Sequence, residues 1–396
     1  MSSAGQDGLP PRPSRHVRVR RYRQSDRDAI SRLTARLAAG GLPYVVYPED
    51  AGDPGPISER LFVATDEEEV HGAVWLKEHR FLAAGHEVLL GWPKYLVAES
   101  LLDARYSGVP RSLIAYCLRE QPRLLGLGFG GNDTPMARML ALLKWTGDSV
   151  PFMFQVFRAG RALRELAPLR NTAMRRLVAD TLRLTGLGQA ALSVIAASRA
   201  VRAPRLPRNL QIEVVPSFGA WADELWARCA NAYGFLTVRD APMLAALFPA
   251  RMPDLVRLRV RLGSADRGWA LLVRHDFGVG AADKTFGRLS VGVLGDVLAR
   301  PEDADAVVMA AMSWFRESQV DLVFSNQSHA AWLGALNRAG FLAGPVNFSF
   351  YRSPGAQQLI AAEAVQRLGV HVTRGDGDGP VWYPTPPVDT QLGSLA

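Results

Sequence analysis

A chain of 396 residues, 48% hydrophobic and 21% charged, is long enough for two domains and apolar enough to give each a buried core. Its formal charge of +8 comes almost wholly from dispersed arginines, clustered only in residues 12–27 and 199–208, which argues against a DNA-binding protein but leaves a surface that attracts phosphates, anionic lipid or an acidic partner. Two cysteines, Cys117 and Cys229, both inside expected helices, exclude a disulfide scaffold and suit a reducing, bacterial cytoplasm; residues 1–14 read as a disordered tail without the apolar core of a secretory signal.

Taken in order, residues 16–22 (HVRVRRY) alternate like a strand. Ser25 and Asp26 offer a cap, Ile30, Leu33 and Leu37 follow at helical spacing, and Gly40-Gly41 stops the helix. Residues 61–65 and 71–77 read as two short strands about an acidic turn at 66–69. Residues 95–102 form a strand carrying Glu99, residues 107–112 turn, and a helix runs over 110–120. A strand at 124–129 ends in Gly130-Gly131-Asn132-Asp133, followed by a helix at 134–145 and a strand at 150–157.

Residues 159–200 read as helical. Their apolar stretch, 187–197, is shorter than the roughly 20 residues of a membrane span. It reads as a packed helix, with weak contact at a membrane surface as the alternative. The prolines in 199–208 make that basic stretch a linker. The outline then repeats, with strands at 210–215, 255–262, 267–275, 286–298, 320–325 and 347–352 and helices at 218–232, 304–318 and 330–339. Gly340-Phe341 follows the last of these helices. The Asp- and Gly-rich run 371–379 lacks the spacing of an EF-hand and reads as a solvated turn. The histidines have no metal-ligand spacing, so no metal site is expected.

A strand, a Gly/Pro turn and a helix N-terminus make an anion site, because the first helical N–H groups have no partner inside the helix. The stretch from Tyr95 to Glu120 has this form, with Gly108 letting a phosphate approach and Pro110 pre-set for a first helical turn. It resembles the acetyl-CoA loop of the GNAT (Gcn5-related) acyltransferases, Arg/Gln-x-x-Gly-x-Gly/Ala. Ser107 stands at the Arg/Gln position, Gly108 at the usual following Gly, Pro110 at the central Gly and Ser112 at the final Gly/Ala. The element order over 15–158 and again over 210–353 is similar to that family's. The whole resembles the tandem GNAT and, more loosely, the FemAB-like acyltransferases.

The resemblance implies an α/β (α+β) chain of two GNAT-like domains, each a twisted, mostly antiparallel mixed sheet flanked by helices. The expected layout is a tail at 1–14, an acyl-CoA-binding domain at 15–158, a helical segment and linker at 159–209, a degenerate domain at 210–353 and a C-terminal helix and tail at 354–396. It implies an acyl-CoA-dependent acyltransferase, using acetyl-CoA or another acyl-CoA and acting on an amine-bearing small molecule or an envelope or exopolysaccharide precursor. Transfer from aminoacyl-tRNA and a non-catalytic tandem GNAT binding or assembly protein are the alternatives. Glu99 falls where the family places a general base. Leu102, Ser107, Gly108, Val109, Pro110, Arg111 and Ser112 form the cofactor loop, and Asn132 falls where it can bond pantetheine amides or cap a helix. The family's acid, a Tyr, is replaced by Leu140 in the first half and Leu336 in the second. The second half's junction, Arg300-Pro301-Glu302-Asp303, has no glycine and repels phosphate, so cofactor is expected in the first half alone.

Overall fold

The computed structural model describes residues 17–42, 44–46, 55–66, 68–129, 134–185, 209–250, 252, 254–277, 283–346 and 348–377. Strand β1 (Arg18–Arg21) leads into α1 (Arg27–Ala39), whose Ile30, Leu33 and Leu37 form one buried stripe. Strands β2 (Ser58–Thr65), β3 (Val70–Ala83) and β4 (His86–Ala98) join β1 in an antiparallel sheet. Alternation along these strands sends Leu61, Val63, Ala73 and Val97 to α1. Phe62, Val74 and Leu76 face the other way, onto Leu113, Ile114 and Cys117 of α2 (Val109–Glu120).

The two short strands expected at 61–65 and 71–77 are longer. β2 has 8 residues and β3 has 14. The polar run Lys77-Glu78-His79-Arg80 hid the extension, yet Lys77, Glu78 and His79 are buried. Pro93 lies within β4. It lies past Gly91, where β4 has lost its ladder on the outer side and a missing N–H costs little.

β5 (Leu125–Phe129), α3 (Pro135–Leu142), β6 (Thr146–Ser149) and β7 (Phe152–Val156) end the first repeat, and α4 (Ala159–Glu165) and α5 (Ala173–Leu184) come next. The expected linker at 199–208 and the apolar stretch at 187–197 lie outside the described residues.

The second repeat runs β8 (Leu210–Val215), α6 (Ala220–Cys229), β9 (Phe235–Thr237), α7 (Ala241–Leu247), β10 (Leu255–Leu262), β11 (Ala265–Asp276) and β12 (Ser290–Ala299). It continues with α8 (Ala304–Glu317), β13 (Leu322–Asn326), α9 (Ala330–Arg338), β14 (Leu342–Ala343) and β15 (Phe348–Arg352). Helices α10 (Pro354–Ile360) and α11 (Glu363–Leu368) come last. Short β9 leaves its own repeat and pairs with the end of β3, Phe81 opposite Thr237 and Ala83 opposite Phe235.

The repeats exchange their last long strands. β7 of the first lies between β13 and β14 of the second, with Val156 opposite Leu322 and Phe154 opposite Leu342. β15 of the second lies between β5 and β6 of the first, with Tyr351 opposite both Gly126 and Gly147. Gly147 is required there, since a Cβ would stand 2.6 Å from the Tyr351 ring. Among the described residues no helix is long and apolar enough to cross a membrane.

Candidate active site

In each repeat two central strands part. In the first, β4 and β5 touch through one parallel bridge, Gly91 to Leu124, where the Gly91 N–H donates to the Arg123 carbonyl at 3.0 Å. Beyond it the strands enter different sheets and leave a V. The apex needs a glycine, because a Cβ on Gly91 would stand 2.6 Å from Leu124 and 2.8 Å from Gln121. One extra residue bulges β4 between the pairs Trp75–Lys94 and Ala73–Val97, and Tyr95 takes a φ of 50°. Such a bulge re-aims the backbone and frees its polar groups from the ladder.

The wide end of the V lies at the end of β4, where the chain makes two 3₁₀ turns and enters α2. Of the expected loop residues, Leu102 caps the first turn and packs against Gly40 at the end of α1. Ser107 caps the second turn, and Gly108 caps α2. Gly108 has a φ of −79°, which any residue adopts, and open space where a Cβ would be. Its use is therefore access rather than backbone freedom. Val109 is buried over Gly72 and serves packing. Pro110 lies in the first turn, Arg111 and Ser112 are exposed, and no acidic residue occupies that turn. The Ser112 N–H is bonded to the Gly108 carbonyl, so the amides of Val109 and Arg111 are the ones without an intrahelical partner. Asn132 lies outside the described residues.

Glu99 is not on the strand. β4 stops at Ala98, and Glu99 opens the 3₁₀ turn. Its carboxylate accepts from Arg36 Nε at 2.8 Å and bonds His71 Nδ1 at 2.7 Å. His71 reaches Asp66 with Nε2 at 2.9 Å and stacks on Tyr106 with ring centroids 4.1 Å apart. Burial pushes the Asp66 carboxyl up, but the bond to His71 and the amides of Glu69 and Glu68 outweigh it and hold it at about 2. Arg36 also pairs with Glu69 at 2.9 Å. The network ties the end of β4 to α1 and to the β2–β3 turn, and it engages both oxygens of Glu99.

Past Trp75, which packs against the α1-side core, the same face of the sheet turns polar. Lys77 and His79 follow Trp75 at alternate positions of β3, and Lys94 of β4 stands opposite Trp75. His79 is fully buried, and neither ring nitrogen has a hydrogen-bond partner among the described residues. Burial first, then the nearby charges of Lys77, Arg239 and Lys94, hold its pKa well below the usual histidine range. His79 is therefore neutral, with an open acceptor nitrogen, at the level of Leu90 beside the apex glycine. The sequence signal for it was slight: a histidine in a polar run that interrupts the strand pattern.

The second V is filled. β12 and β13 pair in parallel from Val291–Leu322 to Leu294–Ser325, and a bulge before Asp296 parts them. The segment after α11 enters the gap. Gln327 bridges Thr373, and the Ser328 N–H donates to the Val372 carbonyl at 3.1 Å on the β13 side. His371 Nε2 meets the Val297 carbonyl at 3.0 Å on the β12 side. Arg239, 0% exposed, locks the segment by pairing with Asp296 at 2.9 Å and Asp376 at 3.0 Å. Thr373 Oγ1 adds a bond to Asp296 at 2.9 Å, and Thr237 Oγ1 one to Asp376 at 2.6 Å. The expected solvated turn at 371–379 is thus, over its described part, a buried plug. At the α8 entrance each acid has an arginine beside it, Arg267 near Asp303 at 3.7 Å and Arg300 on Glu302 at 2.7 Å.

No family model matches the chain, and the search of curated proteins finds no match. Solved structures do. A GCN5-related N-acetyltransferase from Anabaena variabilis superposes with a TM-score of 0.50 at 12% identity, over 85% of this chain and 72% of that one. A conserved protein of unknown function from Enterococcus faecalis gives 0.50 at 9% identity, over 87% and 74%. A tandem GNAT protein of the clavulanic acid pathway gives 0.46 at 13% identity, over 85% and 98%. At these identities the likeness of the first two shows the fold alone: mixed, mostly antiparallel sheets flanked by helices, as in the GNAT fold.

Proposed function

We propose, for a chain with the GNAT fold twice over, that it is an acyl-CoA-dependent acyltransferase with one working site, in the first repeat, acting on an amine. The observation that carries this reading is the contrast between the two Vs. One is joined by a single bridge and opens beside a helix entrance free of acids. The other is occupied by the chain itself and entered past Glu302 and Asp303.

The α2 entrance suits the phosphates of the acyl-CoA substrate, with the Val109 and Arg111 amides pointing outward, Arg111 exposed and Gly108 leaving room. The pantetheine arm then runs along the V toward Gly91, where β4 amides released from the ladder can polarise the thioester carbonyl. The acceptor nitrogen attacks that carbonyl carbon, the C–N bond forms, the C–S bond breaks, and the thiolate leaves to be protonated by water. The proton shed by nitrogen needs an acceptor. Neutral His79 fits this better than Glu99, whose oxygens are held by Arg36 and His71. Glu99 instead fixes the end of β4, and with it the mouth of the V.

The test is a thermal-shift panel with acetyl-CoA, longer acyl-CoAs and free CoA, then turnover with amine acceptors. A shift that Gly108→Glu removes supports the site. No shift with any of these ligands, or one indifferent to Gly108→Glu, overturns it.

A further inference from the structure

We infer that the protein has a second anion site, at the opposite end of β12 from the second repeat's helix entrance, which takes a phosphate group. It is a surface pocket of about 420 Å³ where β12 and β13 begin, lined by Arg158, Arg161, Arg274, Arg288, Asp276 and Ser290. Ser290 and Ala299 end β12 on opposite sides, nine positions apart and so ~30 Å in space. The pocket therefore lies far from the turn that would serve a coenzyme in this repeat.

The charges do not cancel. Asp321, fully buried, accepts from Arg158 at 3.5 Å and Arg161 at 3.2 Å and is held by the Ser290 N–H at 2.9 Å. Arg274 pairs with Asp276 at 3.0 Å and gives a second N–H to the Ser318 carbonyl. The Arg288 guanidinium has no carboxylate partner among the described residues, and Arg161 crosses to the Arg288 carbonyl at 2.8 Å. Four guanidinium groups thus face three carboxylates, Asp276, Asp321 and Glu165, the last accepting from the Arg288 backbone N–H at 3.1 Å. Separately, Ser290 lines the pocket and is 8% exposed, and its buried hydroxyl has no hydrogen-bond partner among the described residues. A buried hydroxyl without a partner is costly, and a bound oxyanion satisfies it. Planar guanidinium forks matched with one hydroxyl donor suit a phosphate, which accepts several charge-assisted bonds at once.

That phosphate has two sources, a soluble ester or a lipid headgroup. The lipid arm is warranted because α4, which carries Arg161, is followed by α5, whose Met174, Leu177 and Leu184 are 69%, 64% and 75% exposed. The experiment titrates the full chain with inorganic pyrophosphate by calorimetry and co-sediments it with vesicles of phosphatidylcholine with and without phosphatidylglycerol. Wild type binds pyrophosphate, and Arg274→Glu with Arg288→Glu weakens this at least tenfold, whereas Arg228→Glu, remote and exposed, does not. Arg288→Gln, a milder change at an exposed position, gives a smaller loss in the same direction and guards against misfolding. Vesicle binding that needs phosphatidylglycerol and fails in the double variant assigns the phosphate to a headgroup. Pyrophosphate binding without vesicle binding assigns it to a soluble ester. The inference is overturned if wild type binds neither, or if the double variant binds as wild type does. The readouts involve no acyl-CoA, so their failure is distinct from failure of the acyltransferase reading.

Discussion

The first and second Vs begin from the same plan. Each has a bulged central strand, a parallel partner on one side and a helix entering at the open end. They differ in what fills the gap. Beyond Gly91 the first has no further ladder among the described residues, although Gly377 stands against Leu127 and Trp92 on its two sides, while the second receives residues 371–376 as a surrogate strand and buries a charged triad to hold it. A repeated fold can thus leave one slot joined by a single bridge and turn the slot of the other into a clamp for its own C-terminal segment.

The largest expected effect breaks the clamp. Arg239→Met leaves Asp296 and Asp376 buried side by side without their cation, and loss of one partner of a buried pair costs about 3–5 kcal/mol. Chemical denaturation reads this directly, and near-neutral stability would mean the triad is not what secures the segment.

Next comes the working V. His79→Gln keeps the ring's approximate volume but cannot take a proton, and general-base catalysis contributes about 10²–10⁴-fold. Turnover is expected to fall within that range, with loss of the acid limb of the wild-type pH–rate curve below pH 6.5, where the lowered pKa places it. Glu99→Gln is expected to keep that limb while raising KM. If Glu99→Gln removes the limb and His79→Gln does not, the assignment of roles is reversed.

Coenzyme binding is a smaller term. At ~100 times its dissociation constant, one bound ligand stabilises by about 2.7 kcal/mol, and Gly108→Glu is expected to remove all of it. Asp303→Asn in the second repeat should leave the shift unchanged. At the apex, Gly91→Ala forces a methyl against Leu124, Gln121 and Leu76, an overpacking worth about 1–3 kcal/mol. It should weaken acyl-CoA binding as the V shifts, whereas Gly108→Ala, with open space around it, should not destabilise the fold.

The last effect is a slope. His79 and His371 are buried and held neutral, their folded pKa values well below the unfolded value near 6.5. Below that pH the unfolded chain binds protons that the folded chain refuses, so stability is full above about 6.5 and falls with acidity. Each histidine contributes about 1.4 kcal/mol per pH unit once below that range. Denaturation midpoints from pH 7 to pH 5 measure it, and His371→Gln should reduce the slope.

The order of elements was legible because amphipathic spacing is local. The stripe Ile30-Leu33-Leu37 and the apolar runs 124–129 and 320–325 announce helix and strand without reference to partners. The α2 entrance could be read from Gly108 and Pro110 for the same reason. Partners were not legible. Nothing in the pattern of 371–376 distinguishes a solvated Asp/Gly turn from a strand surrogate, because the difference lies in Arg239, over a hundred residues earlier. Glu99 likewise looked available until Arg36 and His71 stood beside it. The four arginines of the second pocket are spread from 158 to 288 and meet only through the exchange of β7.

That exchange bears on how the chain is made. The first repeat leaves the ribosome with a gap between β5 and β6 that only β15, almost two hundred residues later, can fill. Until Phe348–Arg352 are synthesised, both strands expose unpaired backbone edges, the sort of surface that chaperones hold and that aggregation exploits. Folding is therefore committed late, and the β5 side of the first V lacks its sheet partner on any chain that stops short of β15. A single stop codon just ahead of Phe348, far from Gly91, would disrupt the first V as surely as a change within it.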